Sequence, residues 1–95
     1  DQHLAGLDRL NKWELGAAQR NFERAVQLDT TFGLAYYKLS LTRGWVVGAD
    51  DSLGLDAINR ALLYSQQLPA HDRAVIAAYR FFLLGESAAS RNIAT

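Results

Sequence analysis

Apolar residues recur along this chain at steps of three and four, the spacing that gathers side chains on one face of a helix. Leu4, Ala5, Leu7 and Leu10 predict a first helix from Gln2 to about Asn11, followed by a break at Asn11–Trp13. Leu15, Ala18, Phe22 and Ala25 form a sharper stripe and predict a second helix from Glu14 to Leu28, with Arg20, Glu23, Arg24 and Gln27 on the other side. Asp29-Thr30-Thr31 ends that helix and offers a cap to the next. A third helix is expected from Phe32 to Arg43, carrying Leu34, Ala35, Tyr36, Leu39 and Leu41, with Gly44 as its stop. The stretch from Trp45 to Ala49 suits a strand by composition, but no partner strand is evident, so it reads as a helix end and a turn. Asp50, Asp51 or Ser52 then supplies an N-cap. The fourth helix, Leu53 to Gln67, carries Leu55, Ile58, Ala61 and Leu62, with Leu68 just beyond. Pro69 fits the first turn of a fifth, where its missing N–H is not needed. That helix should run to about Leu84 with Ala74, Ala77, Ala78, Phe81 and Leu84 on its packing side. Gly85 is the expected stop, and a short sixth helix follows from about Ser87.

The helices repeat. Phe22-x-x-Ala25-Val26 matches Ile58-x-x-Ala61-Leu62, 36 residues on. A small residue stands mid-way along each odd helix, at Gly6, Ser40 and Ala78, with spacings of 34 and 38. A period near 34 with two helices per unit resembles the tetratricopeptide repeat family. Gly6 takes the small site of the first helix in unit one, and Ala18, Phe22, Ala25 and Val26 take the signature of its second. Tyr36, Leu39 and Ser40, then Gly54, Ile58, Ala61 and Leu62, do the same in unit two. Ala77, Ala78, Phe81 and Gly85 fit the first helix and turn of unit three. The resemblance implies an all-α fold of antiparallel hairpins stacked as a right-handed solenoid, a single domain over residues 1–95. Repeat one spans about 1–31, repeat two about 32–68, and a partial third about 69–95. The chain departs from the pattern by about two extra residues within unit two, around Val46–Asp51, and about two more around Gln66–His71. It is similar to tetratricopeptide segments of large bacterial regulatory proteins.

Composition narrows the function. Ten basic and ten acidic side chains give zero formal net charge. That removes the electrostatic footprint of nucleic-acid binding and of attraction to anionic membranes. No run approaches the roughly 18 apolar residues of a membrane span. There is no Cys, so thiolate metal sites, disulfides and a cysteine nucleophile are excluded, and the compartment is left open. There is no Met, which suggests a segment of a longer protein. Ser40, Ser52, Ser65, Ser87 and Ser90 lack a nucleophile-elbow context. His3 and His71 fall in different units without ligand partners at metal spacing. Asp50-Asp51-Ser52 with Asp56 lacks the alternating oxygens of a calcium loop and reads as helix capping. No enzyme, cofactor or metal centre is therefore expected.

Aromatic residues carry the positive signal. In tetratricopeptide proteins the first helices of the hairpins line the concave surface. The resemblance projects Leu34, Tyr37, Leu41 and Trp45 into that groove from unit two, Val75, Tyr79 and Phe82 from unit three, and Leu7 from unit one. Such a lining suits an apolar peptide or helix, because aromatic anchors dominate interface energies. The family's basic clamp for a terminal carboxylate needs Lys, Arg and Asn along the groove. Those places hold His3, Leu7, Lys38 and Leu41, so that activity is not implied. The expectation is a non-catalytic protein-interaction scaffold within a larger regulatory protein. Its alternative is a structural or self-association segment whose groove is filled by another copy, a homo-oligomer, or by other parts of a parent chain.

Overall fold

The computed structural model describes residues 1–48 and 51–94, with side chains placed through Gly85. The described residues form five α-helices: α1 (Gln2–Asn11), α2 (Leu15–Leu28), α3 (Gly33–Val46), α4 (Ser52–Leu63) and α5 (Ala70–Ala94). No strand occurs among the described residues. Each helix packs chiefly on its neighbours in sequence: α1 on α2, α2 on α3, α3 on α4 and α4 on α5. Short connections make this arrangement natural, since they return each helix alongside the last.

The core runs through all five helices, because each contributes a face that the next one covers. Phe22 and Ile58 are fully buried at matching places in α2 and α4. Ala18 and Ala25 flank the first; Gly54 and Ala61, each 36 residues on, flank the second and are likewise buried. Close approach is what lets these large side chains fit. A Cβ on Gly6 would lie 2.6 Å from the Phe22 ring, so α2 rests its largest residue directly on the backbone of α1. A Cβ on Gly33 would lie 2.8 Å from the carbonyl oxygen of Tyr64, where the start of α3 meets the end of α4. Between α3 and α4 the contact is polar as well: the buried Ser40 hydroxyl donates to the Gly54 carbonyl at 2.7 Å. A second polar tie joins α1 to α2, where the Asn21 amide donates to Gln2 Oε1 at 2.8 Å.

The connection between α3 and α4 is held by charge. Asp51 caps α4 by accepting from the Leu53 and Gly54 amides at 3.4 and 3.0 Å. The same carboxylate takes both the Nε and an Nη of Arg43, the latter at 3.1 Å, with little of either side chain exposed. A fork-on-carboxylate pair of this kind is directional as well as charged. The hydrogen bond from Arg43 holds the Asp51 carboxyl below its ordinary value of 3.8, and the two backbone donors add to the shift. Of the three cap candidates in the sequence, Asp51 is thus the one used; Asp50 lies outside the described residues, as do Ala49 and Thr95.

Several expectations shift. Helix α3 does not stop at Gly44 but continues to Val46, and Gly48 takes the left-handed turn with φ of +120°. At a φ of +120° a side chain would be strained, and Gly48 is placed there rather than Gly44. Helix α4 ends at Leu63, short of Gln67, because Ser65 turns its hydroxyl back onto the Leu62 carbonyl at 2.7 Å. Pro69 sits just before α5, and its carbonyl accepts the Arg73 N–H at 3.1 Å. The fifth and sixth helices are one, passing through Gly85 to Ala94.

The packing face of α5 is the larger correction. Ile76 and Leu83 are buried, whereas Phe81 is 80% exposed and Ala74, Ala77 and Ala78 are exposed with it. Unlike Phe22 and Ile58, Phe81 fills no gap between helices. Both faces of α5 are apolar, so the hydrophobic spacing alone does not choose between them, and α4 takes the face with Ile76 and Leu83.

Two stability experiments follow from this packing. Gly6→Ala should lower stability by about 1–2 kcal/mol, because overpacking against the immovable Phe22 outweighs the helix-propensity gain. Gly85→Ala, where a Cβ meets nothing within 4 Å, should raise it by about 0.5–1 kcal/mol. Urea denaturation followed by circular dichroism measures both, and a stabilised Gly6→Ala would disprove the close approach. Asp51→Ala should cost about 2 kcal/mol at neutral pH through the lost cap and the stranded Arg43. Because the Asp51 carboxyl titrates below its ordinary value when folded, that stability is complete above 3.8 and vanishes as pH falls through the depressed folded value. The gap between wild type and Asp51→Ala should therefore close in acid.

Candidate functional site

The stripe of Leu34, Tyr37, Leu41 and Trp45 runs along one side of α3, and Val75, Tyr79 and Phe82 along one side of α5. The structure brings their centres together. The Tyr37 and Tyr79 rings meet edge to face with centroids 6.0 Å apart, and Tyr79 stacks on Phe82 at 5.9 Å. Both arrangements are favoured by the ring quadrupole. Gly44 makes room for this: a Cβ there would lie 2.7 Å from the Tyr79 hydroxyl, so the phenol tip rests against α3. Lys38 adds a charge at the margin, its ammonium 5.3 Å from the Tyr37 ring centroid. Burial raises the phenol pKa of Tyr37, and burial followed by the neighbouring Tyr37 raises that of Tyr79. Both therefore remain hydrogen-bond donors at neutral pH.

The remaining members divide. Leu34, Leu41 and Val75 are half-buried beside the aromatic run. Leu7 is half-buried and packs on the core cluster, and Tyr37 and Tyr79 also touch that cluster from the outside. Phe82 and Trp45 remain open, at 52% and 50% exposure. Trp45 does not join the Tyr37–Tyr79–Phe82 run; its partner is Trp13, at 5.6 Å between centroids. Trp13 has no helical spacing to mark it; it lies in the α1–α2 turn with a positive φ of 57°. Only the break at Asn11–Trp13 hinted that the chain turns there.

A cleft lies elsewhere. It measures about 400 Å³ at the N-terminal end of α3, between the α2–α3 turn and the α4–α5 connection, with Phe32, Tyr64, Gln66 and Gln67 among its walls. Its acidic residue, Asp29, already accepts from the Thr31 amide and hydroxyl. Among the described residues no three His, Asp or Glu side chains gather at metal-binding distance. No helix there is long and apolar enough to cross a membrane.

His3 is more enclosed than a helix-start residue would be. Its ring packs on Phe32 at 4.7 Å and on Phe22 at 5.9 Å, and its buried Nε2 has no hydrogen-bond partner. His71, by contrast, is exposed in the first turn of α5. Burial first, and Lys38 second, lower the His3 pKa from 6.5.

No family model, curated protein or solved structure matches this chain.

The lowered His3 pKa sets a pH dependence. Above 6.5 both folded and unfolded states hold the ring neutral, and it contributes no slope. Below that value the unfolded chain takes the proton first, so stability falls as pH drops through the depressed folded value. The urea midpoint should therefore decline as pH falls below 6.5. His3→Leu should flatten that decline. Equal slopes in the two proteins would show that His3 is free to charge.

Proposed function

We propose that this chain is a tetratricopeptide-like interaction module that grips an apolar peptide or helix of a protein partner along α3 and α5. The observation carrying this reading is the continuous aromatic run Tyr37–Tyr79–Phe82, which bridges two helices and ends in an open ring. Rigid aromatic rings supply contact area with little entropy to lose, and a half-buried run is already ordered before a partner arrives. The flanking Leu34, Leu41 and Val75 extend an apolar floor, and Lys38 marks its polar edge. A partner segment presenting bulky apolar residues one helical turn apart, with an acidic residue towards Lys38, fits this surface.

Support for a solenoid of hairpins comes from the repeat in burial. Gly6 and Ser40, 34 residues apart, are both buried at helix–helix contacts, and Phe22 and Ile58 are both fully buried 36 residues apart. Contacts that run from each helix to its sequence neighbour agree with quasi-one-dimensional stacking. In that frame the module is a non-catalytic scaffold, and a larger regulatory protein is its natural setting.

The test uses the open members of the site, whose truncation leaves the core intact. Helical peptides selected from a displayed library against the chain should bind it and lose at least about tenfold in affinity to Phe82→Ala, with a smaller loss for Trp45→Ala. Circular dichroism should show both variants as helical as the parent. Selected peptides that bind Phe82→Ala and a Tyr37→Ala/Tyr79→Ala variant as well as the parent would remove the groove from the account.

A further inference from the structure

Helix α1 is the least anchored of the first four. It packs chiefly on α2, and Gly6 is its one buried residue, whereas α2, α3 and α4 each bury several. Leu4 is 62% exposed. Leu7 and Leu10 are half-buried against the core, and Gln2 accepts the Asn21 amide at 2.8 Å. The remaining hold is His3. Its ring packs on Phe32 of the α2–α3 turn at 4.7 Å and on Phe22 of α2 at 5.9 Å, and its Nε2 is buried without a hydrogen-bond partner.

We infer that His3 is an acid-operated latch: a proton on its ring lifts the start of α1 away from Phe22 and Phe32 and frees α1 while α2, α3 and α4 stay packed. In either neutral tautomer the charged ring that follows carries an N–H at Nε2, and that N–H has no acceptor. The charged groups nearby do not supply one. Asp1, at the cap of α1, and Asp29, at the end of α2, line the same cleft as His3. Asp1 Oδ1 already accepts the Leu4 amide at 2.9 Å, and Asp29 Oδ1 accepts the Thr31 amide and hydroxyl. Lys38 reaches the ring from α3 as a further cation, and the remaining cleft walls from α2 and its turn, Ala25, Leu28 and Phe32, are uncharged. Leaving the cleft hydrates the charge, and it gives up only the contacts of one end helix. Phe22 is fully buried while Gly6 rests on its ring, so release uncovers an apolar face of α2 that the neutral protein hides. Burial, and after it Lys38, keep the closed ring's pKa below 6.5. Above 6.5 the closed and open forms are both neutral and the latch holds. Below it the open form takes the proton first and gains on the closed form by about tenfold per pH unit, until the closed ring titrates as well.

Amide hydrogen exchange of the full chain, taken relative to the intrinsic rate at each pH, reads this helix by helix. Protection from Leu7 to Asn11 should fall by about tenfold per pH unit below 6.5, while α4 keeps its protection. His3→Leu keeps an apolar contact and cannot charge, so its α1 protection should not change with pH. His3→Gln, uncharged as well, should give the same flat profile and covers the case in which leucine disturbs the packing. Asp29→Asn should behave as the wild type does. Protection lost from α1 and α4 together overturns the inference, because acid then acts on the whole fold. Protection in wild-type α1 that ignores pH overturns it too, since the ring then stays seated whatever its charge. A decline that persists in His3→Leu and His3→Gln assigns the effect to another group, and so does its loss in Asp29→Asn; either result removes His3 as the latch.

Discussion

The fold depends on one steric constraint: two helix backbones must come close enough for a large side chain of one to rest on the bare backbone of the other. Phe22 does this on Gly6, and the start of α3 does it on the Tyr64 carbonyl through Gly33. At the third such place Ser40 stands in for glycine and turns the closeness into a hydrogen bond to Gly54. Remove the closeness and the other features lose their footing. The core of Phe22, Ile58, Tyr36 and Leu39 would open, and the Arg43–Asp51 pair would be drawn apart as α3 and α4 separated.

That constraint explains which parts of the architecture could be read from residues alone. In α2 the apolar and polar positions divide cleanly, and Ala18, Phe22 and Ala25 point inward as their spacing demands. The alternation of small and large residues was equally legible in α4. Helix ends were less so, because glycine has two roles that spacing does not separate. Gly44 is wanted for room beside Tyr79 and Gly85 is simply tolerated, while Gly48 alone among the described glycines takes a positive φ. Helix α5 was the hardest to orient. Its two apolar sides satisfy the same periodicity, and Ile76 and Leu83 are the ones that turn inward.

The candidate site follows the same division. The family resemblance projected Tyr37, Tyr79 and Phe82 into one groove, and the structure joins them into one run. Leu7 and Trp45 could not be assigned their neighbours this way, since those are set by tertiary contacts with the core and with a turn distant in sequence. Trp13 was invisible for a related reason: a residue at a chain reversal has no periodic position to betray it. What emerges is a molecule whose polar groups are spent on capping and joining helices, and whose open surface is aromatic and aliphatic.

The pairing of Trp13 with Trp45 has an optical consequence. These are the chain's two tryptophans, and their rings stand 5.6 Å apart at a tilt of 50°, one in the α1–α2 turn and the other near the end of α3. Two indoles this close share their excited states, so the tryptophan emission of the whole protein, excited at the red edge where tyrosine does not absorb, comes from a single corner of it. Light absorbed there reports whether the first hairpin is seated on the second, and it is nearly blind to the state of α5.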